Sequence, residues 1–539
     1  MAANRKRVAV IGAGASGLTA IKCCLDEDIE PVCFERSCEV GGLWRYTDTP
    51  VEGQGCVMKS TVINTSKEMM AYSDFPIPDE MPVFMHNTQV VKYFNMYADK
   101  FDLRKHIKLN TSILSVNKTD DFAETGRWKL VIKDLKSEEE TSEVFDGVLC
   151  CSGHHADKHV PSFPGLDKFK GAVVHSHDYK IPNEFDGKRV LIIGIGNSGG
   201  DIAVELSRRS KQVFLSTRRG TWILNRVARK GQPLDMLRLN RVVGWLRKNF
   251  PVWSDKVYQF EITQKLDHKL YGLKPTYGPF AQHPMVNDDM PNRIICGSIK
   301  IKTDIKQFTE TGVEFIDGTK EEDLDAVILA TGYSFGFPYV PKEIIEVKEN
   351  DVQLFKYMFN PEIEKPTLAV IGLVQPLGAI MPISEMQCRV ATRIIKGSSS
   401  LPSHGDMWTD IRNTKSLMNH RYAQSRRHTI QVEYQDYMDQ LAEIIGCKPD
   451  IVGLMKKDPV LAFNVVWGPC TPYQYRLAGP KNWSGARKAI MTQWDRTKTP
   501  LMTRQVEESK TLWYDPSLQN FLKFVFIMVI LRFLLGFLF

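Results

Sequence analysis

VLIIGIGNSGGDIAVEL, residues 190–206, reads as an apolar run, three glycines at G-x-G-x-x-G spacing, and a helix-like segment. Residues 8–21, VAVIGAGASGLTAI, repeat the pattern. A glycine turn between a Val/Ile-rich strand and a helix is the context in which a chain cradles a dinucleotide. In the first copy Gly12 makes the tight turn, Gly14 admits the pyrophosphate and Gly17 lets helix and strand pack. The helix start offers unpaired N–H groups to phosphate. Eighteen residues after Gly17 the strand EPVCFE ends in Glu35, an acid suited to both ribose hydroxyls of an unphosphorylated adenosine, as in FAD or NAD.

The second copy has Gly194, Gly196 and Gly199 in the same roles. Its equivalent strand, KQVFLSTRRG, ends in Ser216, Thr217, Arg218 and Arg219 and carries no acid there. A carboxylate would repel a 2′-phosphate, whereas a guanidinium pairs with it. The chemistry of this end is that of NADPH. Two further strands, FDGVLCCSGHH (145–155) and LDAVILATGYSF (324–335), each lie downstream of one glycine turn and stop at a glycine, where the chain crosses between domains.

The expectation is an α/β protein with two Rossmann-like dinucleotide-binding domains, a mostly helical insertion and a C-terminal transmembrane helix. Residues 1–165 read as the first part of an FAD-binding domain and 166–224 as the first part of an NADPH-binding domain. Residues 225–300 read as a helical, membrane-associated insertion. The NADPH-binding domain resumes over 301–334 and the FAD-binding domain over 335–445. A C-terminal subdomain spans 446–517 and a membrane anchor 518–539. Within the insertion, LRLNRVVGWLRKNF (237–250) places Leu239, Val242, Val243, Leu246 and Phe250 on one helical face, with Arg238, Arg241 and Lys248 opposite. That pattern suits a surface-lying membrane helix, or equally a helix packed on its own domain.

At 539 residues the chain is too long for one ordinary core. A net charge of +7 is mild for this length and does not call for nucleic acid as a partner. The eleven cysteines show neither C-x-x-C spacing nor a His/Cys cluster of metal-site type, which points to free thiols in a reducing compartment and to no metal. The start, MAANRKRVAVIGAG, leads straight into a strand without room for a secretory signal. The end, FLKFVFIMVILRFLLGFLF (521–539), would make a helix of roughly 28 Å, about the thickness of a bilayer core. Its Leu, Ile, Val and Phe outweigh one central Arg, and Lys523 can snorkel to the interface. Such a tail emerges last in synthesis, so the bulk of the chain is expected to face the cytosol.

FAD with NADPH implies hydride transfer to flavin and leaves the electron acceptor to be found. A disulfide reductase would need a C-x-x-C, and none is present; a quinone or oxygen stays open as the acceptor. Here the chain resembles a family: FKGAVVHSHDYK (169–180) fits F-x-G-x-x-x-H-x-x-x-[YF]-[KR], the identifying sequence of the flavin-containing monooxygenases. ERSCEVGGLWRY (35–46), INTSKEMMAYSDFP (63–76), GNSGGD (196–201) and ATGYSF (330–335) accompany it. The later segments 371–387 and 468–496 look like the vertebrate, tail-anchored, microsomal members, and the resemblance runs along essentially the whole chain.

The resemblance implies FAD contacts from Gly12, Ala13, Gly14, Ala15, Ser16, Gly17, Glu35, Leu43, Trp44, Asn64 and Thr65. It implies NADPH contacts from Ile63, Asn64, Gly194, Gly196, Ser198, Gly199, Gly200, Asp201, Arg218 and Arg219. It further implies a cycle in which NADPH reduces FAD, NADP⁺ stays bound, and O₂ forms a C4a-hydroperoxyflavin that oxygenates an amine nitrogen or sulfide sulfur. The partners are then O₂, a small lipophilic substrate and membrane lipid, at the endoplasmic reticulum; a homo-oligomer stays open. Asn64 is the expected catalytic side chain, because a neutral amide donates and accepts without titrating. His154, His155 and His175 read as structural. Tyr179 stands where the sister Baeyer–Villiger group has Trp, which favours heteroatom oxidation. The chain departs from the family pattern at EGQGCVMK (52–59) and GPKNW (479–483). Ketone oxidation, an uncoupled NADPH oxidase that releases hydrogen peroxide, and an inactive membrane-bound paralogue stay as alternatives.

Overall fold

The computed structural model describes residues 5–422 and 428–504. The segment RVAVI becomes the strand Arg7–Ile11, whose valines and isoleucine are buried on both faces. A strand of that kind belongs in a parallel sheet covered on both sides. The first sheet runs Leu368–Val370, Gly147–Cys150, Arg7–Ile11, Glu30–Glu35, Ile107–Leu109, every pairing parallel. The helix Ala15–Asp26 follows its central strand, and Ile380–Lys396 packs along that helix. The second sheet repeats the plan: Ile299–Lys302, Gln212–Ser216, Arg189–Ile193, Ala326–Leu329, Ala172–His175, again all parallel.

Each sheet also carries a three-stranded antiparallel sheet ahead of its return strand. In the first unit this is Thr111–Lys118, Trp128–Asp134 and Glu140–Phe145. In the second it is Ile305–Phe308, Val313–Phe315 and Lys320–Glu321. The chain thus builds one architecture twice. Cys23, Cys24, Cys150 and Cys151 are buried core residues, and burial pushes the thiols of Cys23 and Cys150 up to about 12.

Residues 225–300 hold four α-helices, Leu234–Arg238, Arg241–Asn249, Pro251–Thr263 and Met290–Ile295. The expectation of one amphipathic helix over 237–250 needs correcting. Leu239 leaves helical geometry, and the Asn240 side chain accepts the Val243 N–H at 2.9 Å, which starts a new helix. Its basic residues do not face outwards together. Arg241 pairs with Asp439 at 2.8 Å and Arg247 with Glu433 at 2.7 Å, docking this helix on Tyr434–Ile444, while Trp245 and Phe250 are exposed.

The C-terminal helices close onto the first unit through buried ions. Arg476 reaches Glu385 at 2.8 Å and Asp74 at 3.0 Å, and donates to Ser73 Oγ at 2.6 Å. Arg496 pairs with Glu68 at 2.5 Å. Among the described residues no helix is long and apolar enough to cross a membrane. The expected anchor at 518–539 lies outside the described residues.

Candidate active site

The two glycine turns have matching geometry. Gly12 and Gly194 both adopt the left-handed region, at φ +100° and +109°. A Cβ on Gly12 would lie 2.8 Å from the Cys151 carbonyl oxygen, and one on Gly194 would lie 2.4 Å from that of Ala330. Each turn is therefore pressed against the strand by which the chain leaves its sheet, and only glycine fits there. Gly17 and Gly199 lie under the Gly12 and Gly194 carbonyls, so their helices pack directly on the turns. Neither helix N-terminus is capped by a side chain, which leaves its first N–H groups for an anion.

At the first turn, Glu35 is buried and accepts from the Ala13 N–H at 2.7 Å, while Ser37 donates to its other oxygen. The short helix Gly42–Trp44 carries Leu43 and Trp44 beside this turn; a Cβ on Gly42 would stand 2.9 Å from the Gly14 Cα. Ser16 Oγ meets Ser384 Oγ at 2.9 Å, and Tyr72 donates to the Ala15 carbonyl at 2.7 Å. The run 63–76 therefore has mixed duties: Asn64 and Thr65 face a cavity, whereas Tyr72, Ser73 and Asp74 brace the turn and the C-terminal helices.

At the second turn the register places Thr217, not an acid, where Glu35 stands in the first, because Gly12 donates to Phe34 and Gly194 to Ser216. Arg218 and Arg219 follow, both exposed, and among the described residues neither makes an ion pair. Ser198 is exposed on the first turn of the helix, and Gly199 and Gly200 are buried against the insertion and the sheet. Asp201 accepts from Asn287 at 2.8 Å, and burial pushes its carboxyl up to about 6.

Gly196, Ser198 and Gly199 open on a cavity whose other walls include His154, His155, His283 and Tyr333. His283 and Pro284 also wall a second cavity, so the two adjoin. Asn64 and Thr65 line the second cavity, together with Asp235, Tyr258, Phe280 and Leu377. The Asn64 Oδ1 is buried there without a hydrogen-bond partner among the described residues. Ile63 is fixed by its N–H to the Met85 carbonyl at 2.9 Å. Burial holds His155 and His283 down at about 4, so both are neutral imidazoles near pH 7. Nothing in the sequence marked Asp235, Tyr258, Phe280 or His283, which come from the insertion and lack a recognisable spacing.

The motif 169–180 contributes no side chain to either cavity beyond Ser176. His175 contacts the Gly332 carbonyl, His177 the Gln54 carbonyl, Tyr179 donates to Glu205 at 2.6 Å, and Lys180 reaches the Cys56 and Val57 carbonyls. The bonds from His177 and Lys180 tie this motif to residues 54–57, so the departure at 52–59 packs on it.

Two uncapped helix N-termini, one with a buried acid beside it and one with free arginines, and an orphaned amide in the adjoining cavity fit a protein that holds two dinucleotides around one reaction chamber. The family model for flavin-binding monooxygenase-like proteins matches residues 5–536, and the chain belongs to that family. It is 53% identical over 510 residues to flavin-containing monooxygenase 5 of Rattus norvegicus, covering 94% of this chain and 95% of that one. It is 47% identical over 509 residues to the N-oxide-forming dimethylaniline monooxygenase 2 of Pan troglodytes, covering 94% of both. Among solved structures, the S-allyl-L-cysteine S-oxygenase of Allium sativum matches with a TM-score of 0.62 at 23% identity, over 86% of this chain and 95% of the other. The protein is a flavin monooxygenase whose cofactors are FAD and NADPH and whose reactants are O₂ and an organic substrate.

Proposed function

We propose that this chain transfers one oxygen atom from O₂ to the nitrogen or sulfur of small lipophilic molecules in the cavity walled by Asn64. The observation that carries the reading is the buried, unpartnered Asn64 Oδ1 beside the cleft of the second glycine turn. FAD held here would supply the redox chemistry between NADPH and O₂. The chain's part is to bind, orient and keep dry. Glu35, with Ala13 and Ser37 fixing its carboxylate, takes the adenosine ribose of FAD, and the N-terminus of Ala15–Asp26 takes its pyrophosphate. The N-terminus of Asn197–Leu206 takes the NADPH pyrophosphate, and Arg218 with Arg219 its 2′-phosphate. Asn64 offers one acceptor and two donors that stay uncharged at every working pH, and Tyr258, Phe280 and Leu377 exclude water around it. The N-oxide-forming activity in the printed name of the Pan troglodytes relative supports nitrogen as a target. The test is isotopic: with ¹⁸O₂ and a tertiary amine, one labelled oxygen should enter product per NADPH consumed. NADPH consumption with peroxide as the sole product would reject the reading in favour of an oxidase.

We further infer attachment to the endoplasmic reticulum membrane, with the catalytic bulk on the cytosolic side. The apolar run 521–539 supports it, as do Trp245, Trp253, Phe260, Phe463 and Trp467, all exposed on neighbouring helices. Lys248 and Lys256 are exposed on two of these helices, Lys456 and Lys457 on the adjoining helix Ile451–Lys457, and all four suit an anionic lipid surface.

A further inference from the structure

Asp235 belongs to the insertion, yet its carboxylate holds a loop of the first unit. Its Oδ2 accepts the Ser66 N–H at 2.7 Å and the Ser66 hydroxyl at 2.9 Å, across 169 positions of sequence. Its Oδ1 accepts the Met236 N–H at 2.8 Å. Ser66 is buried, begins the short helix Lys67–Met70, and gives its hydroxyl to Asp235 instead of capping that helix. Two residues upstream stands Asn64, whose side-chain oxygen has no partner among the described residues. The loop is thus pinned on one side by Ile63 to Met85 and on the other by Ser66 to Asp235. Among the described residues, the insertion's one other hydrogen bond to this loop runs from Arg226 Nη2 to the Val62 carbonyl, at 3.5 Å.

We propose that Asp235 is a positioning residue: by gripping Ser66 it sets where the Asn64 amide points, and so couples the insertion to the oxygen-transfer chamber. This rests on the reading of Asn64 given above. The grip depends on charge, because a carboxylate accepts all three donors, whereas a carboxylic acid must turn its own proton towards one of them. Charged and titratable groups around it are engaged elsewhere. Across the cavity Arg226 pairs with Asp288, Arg238 with Glu261 and Arg247 with Glu433. On the helix after Ser66, Lys67 donates to the Pro78, Asp79 and Met81 carbonyls and Glu68 pairs with Arg496. Burial keeps His283 neutral and raises the phenol of Tyr258. Held by N–H and O–H donors without a paired cation, the Asp235 carboxyl is pushed up by burial to about 6. The charged, gripping form is present above that pH and is lost as pH falls through it.

The test is hydrogen–deuterium exchange on the full-length, FAD-loaded protein, read in peptides spanning 61–68 and corrected for intrinsic rates. Asp235→Ala removes both bonds to Ser66 and should raise exchange there by about tenfold or more, a factor that the loss of even one charge-assisted hydrogen bond supplies. Ser66→Ala, which keeps the backbone donor, should raise it less. In the unmodified protein exchange in this peptide should rise between pH 7.5 and 5.5, and Asp235→Ala should abolish that step. Hydrogen peroxide released per NADPH consumed should follow the same pH profile. Should Asp235→Ala fail to fold, Asp235→Asn removes the charge at the same size and carries the same prediction. Unchanged exchange at 61–68 in the variant, or a pH step that survives it, overturns the proposal. Loosened exchange without any change in peroxide release overturns the coupling. If Asn64→Asp itself leaves oxygen transfer intact, the Asn64 reading is what fails, and the exchange data still stand or fall alone.

Discussion

Replacing Arg218 and Arg219 together by Ala isolates the second nucleotide site from the first. Both guanidiniums stand past the end of the strand Gln212–Ser216, exposed, with Thr217 in place of an acid. The nearby Lys302 cannot substitute, because its ammonium pairs with Glu321 at 2.8 Å. A charge-assisted hydrogen bond is worth about 1.5–3 kcal/mol when desolvated, and exposure reduces that to about 1 kcal/mol for each arginine. The double variant should therefore raise KM for NADPH about 30-fold, while KM for NADH changes less than about threefold. Flavin content should stay at the level of the unmodified protein, since Glu35 and the first turn lie on the other sheet. Steady-state kinetics with both nucleotides, with absorbance of bound flavin as control, measures this directly. Equal losses for NADPH and NADH, or an unmodified protein that uses both equally, would refute the assignment of the 2′-phosphate to these residues.

Arg476→Met should lower stability by about 3–5 kcal/mol, because it leaves the buried Glu385 without its cation and removes one of two from Asp74; thermal unfolding followed by flavin release checks this. Deleting residues 518–539 should move the protein from the membrane pellet to the supernatant; a truncated chain that still pellets would assign the attachment to Trp245, Trp253 and their exposed neighbours.

Legibility in the sequence followed locality. Both glycine turns, and the contrast between Glu35 and the Arg218–Arg219 end, could be read because strand, turn and helix lie within about thirty residues and each position has one steric or electrostatic duty. The three-stranded sheets at 111–145 and 305–321 were missed, since their alternation is short and their pairing non-local. The break at Asn240 was missed because the apolar spacing continues across it, and only the cap decides where the helix begins. The walls of the Asn64 cavity come from segments with no motif. Tyr258 and Phe280 stack at 4.8 Å, and their pairing is set by tertiary packing alone. The resemblance identified Asn64, but nothing local shows that residues from the insertion would enclose it.

The role proposed for the Asn64 amide in oxygen transfer is separable from any share it has in holding FAD. Asn64→Asp tests it most directly, because a carboxylate of the same shape cannot donate and brings negative charge into the chamber. The variant should retain FAD through Gly12, Gly14, Gly17 and Glu35, still oxidise NADPH, and release nearly one hydrogen peroxide per NADPH consumed. A variant that retains FAD and still converts substrate with the coupling of the unmodified protein would contradict it.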